Sequence, residues 1–137
     1  MTIEIHPVRG IPEVAPGDDL SALIMAGLAS AGIELRDRDV VVVTHKVVSK
    51  AEGRIEAVAD DAAYRELAER EARSILRRRG DLVIAQTEHG FICANAGVDR
   101  SNVPDGHAVL LPIDSDRSAH RIRRQLEQAT HTEIAVV

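Results

Sequence analysis

Apolar positions along this chain change their period several times, and each change marks a predicted element. Over Thr2–Val8, Ile3 and Ile5 alternate with polar residues, and Pro7 and Gly10 close the run, which predicts an edge-like first strand. Pro12, Pro16 and Gly17 mark a loop. Asp18 and Asp19 then stand where an N-cap and a first-turn acid belong. Leu20, Leu23, Ile24 and Leu28 follow at helical spacing up to Gly32. Val40–Val43 is an unbroken β-branched run, which predicts a strand covered on both faces. Lys46–Arg54 carries polar groups out of that strand towards a turn at Gly53.

The pattern predicts its longest helix from Asp60 or Asp61 through Arg79, with Gly80 as its stop. Tyr64, Leu67, Ala68, Ala72, Ile75 and Leu76 share one face of such a helix. Glu66–Arg70 and Glu69–Arg73 fall at i,i+4 in the favourable orientation, and Arg77–Arg79 would crowd the last turn as a solvated helix end. Leu82–Thr87 and Ala108–Pro112 read as strands. Asp116–Thr130 reads as a helix with Ile122 and Leu126 inward, and the closing EIAVV reads as an apolar strand. The expected class is α+β, a mixed sheet with three helices. Because loops that carry function commonly follow strand ends, a chain ending on a buried strand is expected to be cut short.

Composition narrows the function. At 137 residues with 45% hydrophobic and 28% charged, one domain or part of one with a real core is expected. A net charge of −5, one Phe, one Tyr and no Trp argue against nucleic-acid binding. No apolar run approaches the roughly 20 residues of a membrane span, and no signal peptide is readable at the N-terminus. A single cysteine, Cys93, points to a reducing cytoplasm. Cys93 lies in an apolar run, where burial makes a thiol inert. The six histidines show no metal-ligand spacing.

Lys46 and Lys50 stand out because every one of the other 15 basic residues is arginine. They lie four positions apart, on one face of either a helix or a strand, just past the valine run. Compact ammonium groups there suit phosphate oxygens or a reacting carboxylate, although solvated surface lysines would give the same spacing. The long Glu88–Gly106 connection, with Gly90, Gly97 and Gly106, is the second candidate. Its Asp99, Ser101 and Asn102 offer the oxygen ligands that a hard divalent cation carrying a nucleotide needs. Asx turns at Asp99 and Asn102 would explain the same residues. Neither GxxxxGK[ST] nor GxGxxG occurs.

Four segments, in order, resemble the coenzyme F420-0:gamma-glutamyl ligases: GIPEVAPGDDL (Gly10–Leu20), LRDRDVVVVTHKVVSKAEGRI (Leu35–Ile55), HGFICANAGVDRSNVPDG (His89–Gly106) and LLPIDSDRSAHRIR (Leu110–Arg123). The SKAEGR and NAGVDxSN elements are the specific ones. The resemblance implies a cytoplasmic, homodimeric enzyme of coenzyme F420 biosynthesis. Such an enzyme uses GTP with Mg²⁺ or Mn²⁺, and K⁺ as a further cation, to join L-glutamate to the carboxylate of F420-0. It implies that Ile11, Pro12, Glu13 and Val14 line the GTP site. Lys50 would contact GTP phosphate, Asn102 and His45 would contact GTP, and Asp99 would hold the metal. A serine is expected at the position of His45 in some relatives. Lys46 joins Lys50 as a catalytic candidate from the spacing alone. The family pattern continues past EIAVV with an Asp-Thr pair and a Gly-rich half, so residues 1–137 are expected to be the N-terminal part of the ligase domain. Two alternatives stand beside this reading: a shortened non-catalytic nucleotide-binding or dimerisation module, and an amide ligase for another carboxylic acid.

Overall fold

The computed structural model describes residues 2–137. Four helices and seven short strands follow one another: α1 (Leu20–Ala31), β1 (Val40–Val41), α2 (His45–Ala51), β2 (Ile55–Ala57), α3 (Asp61–Arg70), β3 (Ala72–Arg79), β4 (Leu82–Thr87), β5 (Ile92–Ala94), β6 (His107–Val109), α4 (Ser115–Thr130) and β7 (Ala135–Val136). The class is α+β, as expected. The strands form three small sheets rather than one mixed sheet: a parallel β1–β7 pair, an antiparallel β2–β6 pair and an antiparallel β3–β4–β5 sheet.

Both outer helices form where the sequence places them. Asp19 caps α1 by accepting from the amides of Ser21 and Ala22, and Gly32 ends it at φ +66°. Asp114 caps α4 by accepting from the Arg117 amide, and Ile122 and Leu126 face inward. Leu20, Ile24 and Leu28 of α1 meet Ile122 and Leu126 of α4 in one core, which Val14, Val48 and Ile134 complete. Val48 fixes α2, a helix absent from the sequence reading, on this core. A second cluster joins Leu67 and Ala68 of α3 to Val58, Val98, Ala108 and Leu110.

The largest correction concerns residues 71–79. The predicted helix stops at Arg70, and Ala72–Arg79 is a strand. Arg54 holds the turning point: its guanidinium donates to Glu71 at 2.6 Å and to the Leu111 carbonyl at 3.1 Å. Beyond it, Val83 and Ala85 of β4 are buried, and their strand needs a backbone partner, which β3 supplies. Gly80, at φ +58°, belongs to the tight connection between Arg79 and Leu82 rather than to a helix stop. Ile75 and Leu76 therefore stay largely exposed. The expected i,i+4 pairs are replaced: Arg70 bonds Glu56 of β2, and Glu69 bonds Arg78 of β3. Arg77–Arg79 guard a sheet edge, where charge discourages further strand pairing.

Two smaller expectations also change. Thr2–Val8 forms no strand, and Ile3 and Ile5 are 82% and 90% exposed, because no neighbouring segment pairs with them. The valine run is not covered on both faces. Val40 and Val42 are exposed while Val41 and Val43 pack on the core, as befits a two-stranded sheet with one buried side. The closing segment does form a strand, in parallel register Val40↔Ala135 and Val41↔Val136. Among the described residues no helix is long and apolar enough to cross a membrane.

Leu126 of α4 is fully buried in the core that α4 shares with α1. Leu126→Ala is expected to lower unfolding free energy by about 2–5 kcal/mol in a denaturant titration, from lost transfer energy plus the cavity left behind.

Candidate functional site

The second core and the β2–β6 pair present a loop and a helix to each other. Asp99 leaves the loop as an isolated bridge to Val109, with its amide donating to the Val109 carbonyl at 3.0 Å and the Val109 amide returning a bond of 2.7 Å. Before it, Asn95, Ala96 and Gly97 all take positive φ, 48°, 52° and 78°. A Cβ at Gly97 would stand 2.7 Å from the Leu111 side chain, so this tight turn requires glycine there.

After Asp99 the chain is staked down. The Arg100 guanidinium lies 4.2 Å from the Tyr64 ring centroid and donates to Asp61 at 2.7 Å and to the Asp60 carbonyl at 3.0 Å. Tyr64 Oη donates to the Val98 carbonyl at 2.7 Å and accepts from the Asn95 amide at 3.2 Å. The Asn95 side-chain oxygen in turn accepts from the Val83 amide at 3.1 Å. The loop backbone is therefore held as far as Ser101, whose amide bonds Asp99.

On the facing helix α2, Lys46 and Lys50 stand one turn apart, roughly 5–6 Å between Cβ atoms. Lys46 Nζ lies 2.8 Å from Asp99 Oδ2, donates to Ser101 Oγ, and has Asn102 Oδ1 at 3.5 Å. The other Asp99 oxygen accepts from the Ser101 amide at 2.6 Å. The Asx turn and the cation-facing carboxylate are thus one arrangement, with each oxygen doing one task. Burial works against ionisation of Asp99 but is outweighed by hydrogen bonds from Lys46 and from the Ser101 amide and hydroxyl, and by the ammonium charge. Its pKa is drawn down to about 2. Burial pushes the neighbouring His45 imidazole below its usual pKa, and the Lys46 charge pushes it further against an opposing pull from Asp99.

Lys50 takes a different partner. Its side chain is 9% exposed and its ammonium bonds Glu13, whose own side chain is 82% exposed. Glu13 comes from the Ile11–Val14 segment; just past it, the Gly17 amide donates to the Ala51 carbonyl at 2.8 Å. Within that segment Val14 is a core residue, Ile11 packs against the same core, and Pro12 and Glu13 are exposed. The structure thus gathers His45, Lys46, Asp99, Ser101 and Asn102 in one cluster, with Lys50 one turn along the same helix and Glu13 reaching it from the segment before α1. Ile11 and Val14 turn inward. Between the lysines, the Ser49 hydroxyl is buried without a hydrogen-bond partner. Cys93, half-buried in β5, has its thiol pKa raised by burial.

Among the described residues no three His, Cys, Asp or Glu side chains converge as a metal cage. The oxygens of Asp99, Ser101 and Asn102 do converge on a cation, the Lys46 ammonium, which stands in for one. One carboxylate, one hydroxyl and one amide oxygen suit a hard divalent ion whose remaining positions are filled by water or phosphate. The Arg100–Tyr64 stake had no signal in the sequence, since it depends on α3 and the loop meeting across more than 30 positions; Ser101 was a candidate, but its Lys46 partner on α2 was not legible.

The depressed Asp99 pKa fixes a sign. A carboxylate whose folded pKa lies below its unfolded value contributes stability that is full above about pH 4 and lost as pH falls through about 2. Lys46→Met is expected to move the Asp99 carboxyl midpoint upward, toward the ordinary Asp value of about 3.9, in a carbon-detected NMR titration. An unchanged midpoint would show that Lys46 does not hold it.

Comparison with known proteins gives these segments a setting. A family model described as F420-0:Gamma-glutamyl ligase matches residues 10–137. The coenzyme F420:L-glutamate ligase of Methanothermobacter thermautotrophicus is 40% identical over 100% of this chain and 61% of its own length. The protein of the same name from Methanopyrus kandleri is 38% identical over 99% of the chain and 58% of its length, and that from Archaeoglobus fulgidus is 33% identical over 100% and 59%. The chain thus spans about three-fifths of the length of these curated relatives. With a match over nearly all of its residues, the chain belongs to the F420-0:gamma-glutamyl ligase family.

Proposed function

We propose that this chain is the N-terminal part of a ligase domain that joins L-glutamate to the carboxylate of F420-0 at the expense of GTP, in coenzyme F420 biosynthesis. The observation that carries the reading is the meeting of Lys46 with Asp99, Ser101 and Asn102. It joins two segments more than 50 residues apart that belong to the most specific motifs of the family resemblance.

The chemistry follows from what an amide ligation demands. The acceptor carboxylate attacks the γ-phosphorus of GTP and GDP leaves, giving an acyl phosphate. The glutamate amine then attacks the acyl carbon, phosphate departs, and the amine gives up a proton. Such steps call for positioning and for neutralising charge on phosphate oxygens rather than for a protein nucleophile. In this reading Lys50 supplies a partly desolvated ammonium to GTP phosphate, with exposed Glu13 as the counter-ion that yields. Asn102 and His45 orient the nucleotide by hydrogen bonds, and Ile11–Val14 forms one wall. Asp99, with Ser101 and Asn102 beside it, would hold Mg²⁺ or Mn²⁺, which when bound offsets triphosphate charge. K⁺ as a further cation and a homodimeric, cytoplasmic enzyme belong to the same proposal.

Calorimetric titration of the chain with GTP and with ATP, each with and without Mn²⁺, tests the reading. Metal-dependent binding that favours GTP is expected. Asp99→Asn should remove the metal dependence, and Lys50→Ala should weaken GTP binding by about 10-fold or more, the equivalent of one charge-assisted hydrogen bond. Equal GTP binding by Lys50→Ala, together with a lower melting temperature, would make Lys50 a structural residue.

A further inference from the structure

We infer that Lys46 is a tethered counter-ion that occupies the cation position of the Asp99 loop, and that a divalent cation enters only as the Lys46 ammonium leaves. The inference rests on the reading of Asp99 as a cation ligand and adds to it which group must move. Three oxygens face Lys46 Nζ: Asp99 Oδ2 at 2.8 Å, Ser101 Oγ, and Asn102 Oδ1 at 3.5 Å. They come from three residues within one four-residue stretch of loop, so a small cation facing the loop meets all three at once. An ammonium sits about 2.8 Å from its oxygens, whereas Mg²⁺ requires about 2.1 Å and near-octahedral geometry. Two cations cannot share one set of oxygens at that range, because like charges a few ångströms apart repel and both need the same lone pairs.

The loop is the fixed partner. Asp99 is tied to Val109 by two backbone bonds, its second carboxylate oxygen is held by the Ser101 amide, and Arg100 is clamped by Tyr64 and Asp61. Lys46 is the mobile one, since its ammonium ends a four-carbon stem rising from α2, and three rotatable donors need no fixed geometry. Once displaced, the ammonium remains within one helical turn of Lys50. Cation entry therefore brings a second positive charge towards Lys50, where the anionic groups of a nucleotide would be met. In the absence of metal the same ammonium keeps the loop carboxylate neutralised and the loop in its binding geometry.

The test uses Mn²⁺ alone, followed by the electron paramagnetic resonance signal of the free ion, on the chain without nucleotide. Lys46→Met keeps the stem and removes the charge, and it is expected to bind Mn²⁺ at least about 10-fold more tightly than the wild type. Lys46→Gln, a shorter neutral variant, should show the same direction. Lys50→Met also removes a nearby positive charge, but one that does not touch the three oxygens, so it should give a clearly smaller gain than Lys46→Met. Adding Asp99→Asn to Lys46→Met should abolish the gain. Equal or weaker Mn²⁺ binding by both Lys46 variants, or an equal gain from Lys50→Met, would overturn the displacement while leaving Asp99 as a cation ligand. No Mn²⁺ binding by wild type or by Lys46→Met at millimolar metal would overturn both the displacement and the cation site it rests on.

Discussion

The pair of backbone hydrogen bonds between Asp99 and Val109 is the constraint on which the rest of the site depends. Val109 is fully buried and pairs through β6 with Ile55 of β2, which sets it in the core of the molecule. Joining Asp99 to it fixes the start of the loop against the core. The same strip leads back through Gly53 to α2, because the Arg54 amide bonds the Ser49 carbonyl and the Leu110 amide bonds the Arg54 carbonyl. Helix and loop are therefore set on a common frame. Lys46 and Asp99 meet because that frame brings together segments far apart in the chain.

Strain and charge are distributed to suit this arrangement. Three successive residues with positive φ precede Asp99, and two of them, Asn95 and Ala96, are not glycine. Such conformations cost of order 1 kcal/mol each and persist where the surroundings over-determine them. Here the surroundings are identifiable: Asn95 is held by Tyr64 and Val83, and Ala96 is buried against Val83 and Ala85. The cationic groups of the site each begin with an acidic partner, Lys46 with Asp99 and Lys50 with Glu13. An anionic ligand competes with carboxylates already in place. A cationic one competes with an ammonium.

Much of the fold was legible in the sequence wherever one local signal sufficed. Asp19 and Gly32 bound α1, Ile122 and Leu126 orient α4, and Leu82–Thr87 is a strand at the bounds its pattern implied. Misreadings came where a pattern served two periods. Ala72, Ile75 and Leu76 continue the helical face of Leu67 and Ala68, and only pairing with β4, together with the Arg54–Glu71 contact, turns those residues into a strand. The short α2 was hidden for the opposite reason: seven residues following a β-branched run offer little helical period, and packing of Val48 on the core decides the matter. At the site, the isolation of two lysines and the oxygen-rich loop drew attention to two segments that the structure brings into contact. Which partner each lysine takes is a property of tertiary contact, invisible in spacing.

The central claim, that α2 and the Asp99 loop together form a nucleotide–cation site, is tested most directly by amide NMR of the ¹⁵N-labelled chain titrated with Mg²⁺ and GTP. Shifts concentrated in Ile11–Val14, His45–Lys50 and Asp99–Asn102 are expected, absent with Mg²⁺-free guanosine. Shifts concentrated elsewhere, or none in these three segments at millimolar GTP, would contradict that claim.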